Sequence, residues 1–154
     1  MQDAFEPAGE PADPFRLGRF VEAQARTWEV ALGEVRAGRK SSHWMWYVFP
    51  QISGLGRSET ARRYAIGSLD EAHAFLAHPL LGPRLREITR AAAGLPGGSA
   101  RDVFGTPDDL KLRSSLTLFD RIEPDGPFAL ALDRFFSGER DGETLRLLGR
   151  AGDP

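Results

Sequence analysis

Cysteine is absent from this 154-residue chain, which removes disulfides, thiolate nucleophiles, iron–sulfur ligation and every cysteine-based zinc site. Long apolar runs are missing as well. Nothing approaches the ~18 residues needed to span a bilayer, so no membrane role is expected. Histidine is scarce, with three in all, and none stands in H-x-x-x-H or H-E-x-x-H spacing; no metal site is predicted. Charge of one sign is nearly balanced by the other: 20 Lys and Arg against 22 Asp and Glu give a net charge of −2. That balance leaves no bulk footprint for nucleic acid. Period-2 alternation is missing too, and the one β-tempting run, Trp46-Tyr-Val-Phe49, is four residues long.

What is present reads as helix. The opening MQDAFEPAGEPADPF is acidic and carries Pro and Gly, unlike a basic and apolar secretory leader, so a cytoplasmic location is the expectation. Residues 1–12 lack apolar periodicity and read as a disordered lead-in, ahead of one helical domain over residues 13–150. Asp13-Pro14 reads as a helix start, with Phe20, Trp28, Ala31, Leu32 and Val35 on one stripe and Gly38 as the stop. Ser68-Leu-Asp-Glu71 is a capping-box pattern, and His78-Pro79 bends the chain between two further helices. Thr106-Pro-Asp-Asp109 supplies a cap, a proline and two acids to another helix. Pro127 to Phe136 and Gly142 to Leu148 complete the set. The expected class is all-α, six to eight short helices packed like an orthogonal bundle.

Charge is unevenly spread. Residues 36–63 hold Arg36, Arg39, Lys40, Arg57, Arg62 and Arg63 against Glu59 alone. Half of that excess sits at a helix C-terminus, where the dipole favours cations without any ligand. The remainder lies in the densest stretch of the chain, SSHWMWYVFPQISGLGRSETARRYAI, residues 41–66. Aromatics this close together suit a core or a rigid pocket wall, and arginines beside them can stack on rings or grip an anion. Trp44 or Trp46 would stack, Arg57 and Arg63 would hold the anion, and Gln51 and Ser58 lie in the same stretch. Gly54-Leu-Gly56 ahead of a helix could offer backbone N–H groups to a phosphate, though the Walker spacing and its lysine are missing. His43 in this basic neighbourhood is the candidate catalytic group, as a base or an orienting anchor; a backbone-bonded helix-start histidine is the alternative. Gln24 falls on the apolar stripe of the first helix and needs partners, in a neighbouring loop or in a ligand. Lys111 and Ser115 pose the same question four residues apart, as packing at a helix crossing or as a lysine–serine pair.

Three sets of residues carry a resemblance. They are Asp13-Pro-Phe15 with Arg19-Phe-Val21 and Ala23-Gln24; Ser42-His-Trp-Met-Trp-Tyr-Val-Phe-Pro-Gln51 with Gly54-Leu-Gly-Arg-Ser58 and Tyr64-Ala-Ile66; and His78-Pro-Leu-Leu-Gly-Pro-Arg-Leu85 with Phe104 through Phe119. Together they resemble the family catalogued as domain of unknown function 1810. The resemblance runs from residue 13 to about 148 and implies a single all-helical domain of bacterial type, with no established activity. Ala23-Gln24 and the His-Pro-x-x-Gly segment are also faintly similar to the helical NADAR family of N-glycosidases. The early carboxylate which that chemistry needs is replaced here by Leu17, Gly18 and Arg19, so only the idea of a phosphate-and-ring ligand carries over.

Two functional readings follow from these residues. In the first, the domain binds, and acts on or merely holds, a small anionic ring-bearing ligand of nucleotide-like chemistry, with no cofactor. In the second, the aromatic segment is a patch for a protein partner, since Trp, Tyr and Arg are also the residue types of interface hot spots. Nucleic acid is the least favoured partner.

Overall fold

The computed structural model describes residues 12–152, with side chains to residue 149. All of the lead-in read over residues 1–12 except Ala12 lies outside the described residues. The chain is all-helical, as its patterning predicts. Ten helices are described: α1 (Gly18–Gln24), α2 (Trp28–Arg36), α3 (Met45–Val48), α4 (Glu59–Arg63), α5 (Leu69–Ala77), α6 (Leu81–Ala93), α7 (Ala100–Phe104), α8 (Asp108–Ile122), α9 (Pro127–Phe136) and α10 (Gly142–Gly152). The excess over six to eight comes from α3, α4 and α7, of four or five residues each. Among the described residues no helix is long and apolar enough to cross a membrane.

Local chemistry sets most boundaries. Ser68 accepts the Glu71 N–H at 3.1 Å to start α5, and Ser99 and Asp102 form a reciprocal capping box on α7. His78 is structural in the same way: its Nδ1 accepts the N–H groups of Leu80 and Leu81 at 3.1 and 3.2 Å, opening α6. Gly38, at φ +76°, closes α2. Its N–H reaches the Val35 carbonyl and the next N–H, of Arg39, reaches Glu34, the paired bonds of a Schellman stop.

Two sequence expectations need correction. The first helix is not continuous: it stops at Gln24, and α2 begins at Trp28 after a three-residue turn. At that turn the Thr27 hydroxyl donates back to the Ala23 carbonyl at 2.9 Å, and the Thr27 N–H reaches Gln24. The Thr27 carbonyl in turn receives the Ala31 N–H, the first bond of α2. Thr106 does not cap α8; Pro107 stands at the cap position, reached through a cis peptide, and no side chain serves there.

The core is one contiguous cluster. α6 packs on α9, α5 and α2, and α8 packs on α9, α10, α7 and α5. An aromatic row threads it. Phe20 meets Phe75 edge-on with centroids 5.1 Å apart, Phe75 meets Phe119 at 5.5 Å, and Phe119 meets Phe128 at 5.8 Å. The outer end of this row is Tyr64, 5.9 Å from Phe20. α1 and α8 both contact α3, and the segment that follows α3 carries the candidate site.

Candidate functional site

Residues 50–66 leave the core after α3 and return beside their own starting point. The return is fastened by two backbone hydrogen bonds, Ile66 N–H to the Gln51 carbonyl and Ser53 N–H to the Ile66 carbonyl, each 2.8 Å. They form an isolated parallel bridge between Ile52 and Ile66. Between these ends Gly54 adopts φ +107°, which L side chains disfavour. At Gly56 a Cβ atom would lie 2.5 Å from that of Ala61, so only glycine lets the strand of chain pass so close to α4. Ser58 then caps α4 by accepting the Ala61 N–H at 3.1 Å.

The loop encloses a cavity of about 360 Å³. Its walls include Trp46, Gln51, Ser53, Arg57, Arg62 and Tyr64, with Ile52, Gly54, Gly56, Ala61 and Ala65 completing the lining. No carboxylate lies in that lining. Arg57 and Arg62 have no acidic partner among the described residues, as is also true of Arg26, Arg39, Arg63 and Arg90, while Arg19, Arg36, Arg86, Arg113, Arg140 and Arg146 are ion-paired. Both rings of the wall are held from behind. Lys111 Nζ sits 4.5 Å from the centroid of Trp46 and is itself steadied by Asp108 at 3.5 Å. Tyr64 is braced by Phe20, by Tyr47 at 5.4 Å and by the Arg63 guanidinium at 5.6 Å.

Arg19 fixes the far side of the loop. Its guanidinium donates to the carbonyls of Arg63 at 2.7 Å, Ala65 at 2.8 Å and Phe15 at 2.7 Å, and pairs with Glu71 at 2.8 Å. Both side chains of that pair are about nine-tenths buried. The same Glu71 accepts the Gly67 N–H at 2.9 Å through its other oxygen.

Of the side chains singled out by sequence, three reach this cavity, those of Trp46, Gln51 and Arg57, and Gly54 and Gly56 line it too. Lys111 touches it only through Trp46, Ser58 serves as a cap, and Arg63 backs Tyr64 from outside the lining. His43 is exposed and lies outside the lining. Trp44 is not a stacking platform: it is fully buried against Phe49 and Phe104, and its ring N–H donates to Glu34 at 2.9 Å. Gln24 is 1% exposed and belongs to the scaffold, donating to the Tyr47 carbonyl at 2.8 Å and accepting from Arg84 at 3.3 Å. Ser115 is buried with its hydroxyl unpartnered. No Lys111–Ser115 hydrogen bond therefore exists to activate it.

Sequence reasoning missed Arg62 and Tyr64 as lining residues, and Glu34 as the organiser of the approach to α3. Glu34 Oε1 accepts the N–H groups of Ser41 and Ser42 and the indole of Trp44, while Oε2 accepts the Ser42 hydroxyl at 2.5 Å. Burial pushes this carboxyl up, but the four hydrogen bonds outweigh it and hold the group down at about 2. Lys40 completes the knot, with its ammonium 2.7 Å from Asp108, 2.6 Å from the Ser42 carbonyl and 5.0 Å above the Trp44 ring.

A larger groove of about 780 Å³ lies between α1 and the turn from α5 to α6, walled by Phe15, Leu17, Val21, Ala74 and Pro79. It is mostly apolar; of its three polar side chains, Asp13 and His78 are already engaged and Glu22 is exposed. Asp13 accepts the N–H groups of Leu17 and Gly18 at 2.7 and 2.9 Å, and His78 caps α6. The bonds from Gly18 and Leu17 also hold the Asp13 carboxyl below its ordinary range.

Comparison with known proteins adds a family. Residues 14–148 match the family described as Protein of unknown function (DUF1810), and the chain belongs to it. The crystal structure of a conserved hypothetical protein from Mycobacterium tuberculosis is 51% identical, superposes with a TM-score of 0.87, and covers 89% of this chain and 99% of its own. No curated protein matches the chain.

Proposed function

We propose that this member of the DUF1810 family binds a small anion carrying a planar ring, of nucleotide-like chemistry, in the cavity bounded by Trp46, Gln51, Arg57, Arg62 and Tyr64. One observation carries the reading. Two guanidinium groups without acidic partners face a single cavity of about 360 Å³ that no carboxylate lines. Uncompensated cations in a concave wall concentrate anions, and the guanidinium fork matches the oxygens of a phosphate or carboxylate. Trp46 and Tyr64 supply the flat surfaces on which a ring lies. Their backing by Lys111, Phe20 and Tyr47 means that little side-chain freedom is lost on binding. The volume falls at the lower end of the range for small-molecule sites. N-glycosidase chemistry of the NADAR kind, which needs a carboxylate, forms no part of this proposal.

Thermal unfolding with and without nucleotides, sugar phosphates and aryl phosphates tests it. A ligand at 100 times its Kd adds ~2.7 kcal/mol, which raises the Tm of a domain this size by about 5–10 °C. Arg57→Ala and Arg62→Ala each remove one charge-assisted contact of ~1.5–3 kcal/mol and shrink that shift at fixed ligand concentration. Absence of a shift with every anion discards the reading. The alternative, an interaction module without catalytic activity whose patch is the aromatic segment of residues 41–66, gains only if the cavity binds nothing.

A further inference from the structure

We infer that Gln51 reads the edge of the bound ring, so that the ligand class is a nucleoside monophosphate and not an aryl or sugar phosphate. This rests on the anion-and-ring reading above and sharpens it. The sequence contains no asparagine and three glutamines. One of the two described, Gln24, spends both ends of its amide on Tyr47 and Arg84 inside the scaffold. The other, Gln51, lines the cavity half-buried, and its side-chain amide has no hydrogen-bond partner among the described residues.

Its main chain is the opposite of free. The Gln51 carbonyl holds Ile66 N–H at 2.8 Å, and the Ser53 N–H two residues on holds the Ile66 carbonyl at 2.8 Å. The amide is therefore an uncommitted recognition group on a fastened base, beside the ring of Trp46. Within the described lining it is the one side chain that presents a donor and an acceptor side by side. The complement is a flat ring whose edge carries an acceptor next to a donor. Nucleobases have that edge, and the bidentate pairing of a glutamine amide with adenine N6 and N7 is the familiar case. A phenyl ring stacks but has no such edge, and a sugar ring has no π face to stack. With Arg57 and Arg62 on the anion, the cavity of about 360 Å³ suits one base, one sugar and one phosphoryl group.

The test is calorimetric titration of the full chain with AMP, phenyl phosphate and ribose 5-phosphate, repeated on Gln51→Ala, Gln51→Glu and Arg57→Ala. Expected are tightest binding by AMP and a roughly tenfold to hundredfold loss of AMP affinity in both Gln51 variants. Gln51→Ala should leave phenyl phosphate unchanged, and Arg57→Ala should weaken every anion. Gln51→Glu keeps the shape and guards against a packing effect in the alanine variant; its added negative charge beside Arg57 and Arg62 weakens phenyl phosphate as well, so AMP must fall further than phenyl phosphate in it. Phenyl phosphate binding as tightly as AMP, or Gln51→Ala weakening both alike or neither, overturns the inference. If Arg57→Ala still weakens the anions in that event, the broader reading survives alone. If no anion binds at all, both fall.

Discussion

Replacing Glu34 by glutamine and by alanine separates two contributions of one carboxylate. Glu34 gathers four donors, three of them on a single oxygen. In Glu34→Gln the amide oxygen can keep the three N–H donors, and the new NH2 faces the Ser42 hydroxyl, which can turn to accept. Only the charge is lost, and hydrogen bonds to a charged acceptor exceed neutral ones by roughly 1 kcal/mol. With two of the N–H donors near solvent, about 1–2 kcal/mol of lost stability is expected. Glu34→Ala also strands the indole N–H of fully buried Trp44, whose desolvation adds ~1–3 kcal/mol. Urea unfolding reads both as lower midpoints at unchanged m value. Acid supplies an independent check. The carboxyl titrates at about 2 when folded and in the ordinary range near 4.3 when unfolded. As pH falls between those values the unfolded chain takes up the proton first, so stability is lost. The contribution is complete above about pH 5 and fades towards pH 2. Glu34→Gln has no such group, so the gap between it and the parent should narrow on acidification while every other acid cancels in the difference. A gap that stays constant from pH 7 to pH 3, or an alanine variant no worse than the glutamine one, would refute the reasoning.

Gln24→Leu should cost ~1–3 kcal/mol in urea, because it deprives the Tyr47 carbonyl and Arg84 of their buried partner. Ligand affinity of the folded variant should not change, and a weakened ligand with unchanged stability would move Gln24 back into the site. Arg19→Met leaves Glu71 buried and unpaired, for which ~3–5 kcal/mol is the usual loss. The variant should also release the carbonyls of Arg63 and Ala65. Hydrogen exchange at Ser53 and Ile66 should then quicken more than exchange in α8, and uniform quickening would contradict that local role.

Signals that act over one helical turn were legible in the sequence. Ser68 caps α5 and Pro127 stands at the first position of α9, since a cap acts on N–H groups two or three residues away and a proline fixes its own φ. The break at Ala25–Thr27 was not legible, because no glycine or proline marks it and the apolar stripe of α1 runs on into α2 with little change of phase. Trp44 and Trp46 lie two positions apart at the start of α3, so a helical step of about 100° per residue puts them on nearly opposite sides. That opposition is readable, but which ring goes inward was decided by Glu34, ten residues earlier in the chain. Arg62 and Arg63 pose the same problem on α4, which has no buried residue to mark an inner face. The stretch around the cavity was therefore found by composition, while its membership was set by long-range anchors such as Arg19 that single-sequence patterning does not register.

Every lining residue of the cavity except Trp46 falls from Gln51 to Ala65, the stretch whose ends are tied by the Ile52–Ile66 bridge and its hydrogen bonds from Gln51 and Ser53. The pocket is thus nearly a property of one short stretch of chain, closed on itself like a drawstring. Compact loops of this kind can be exchanged with little disturbance to the body that carries them. A related chain can change what the cavity accepts by altering this one stretch, with the helices beneath left as they are. The same closure sets the manner of failure: once the two backbone hydrogen bonds and the Arg19 contacts to Arg63 and Ala65 part, both ends of the wall are free together, so the cavity is lost as a unit and not residue by residue.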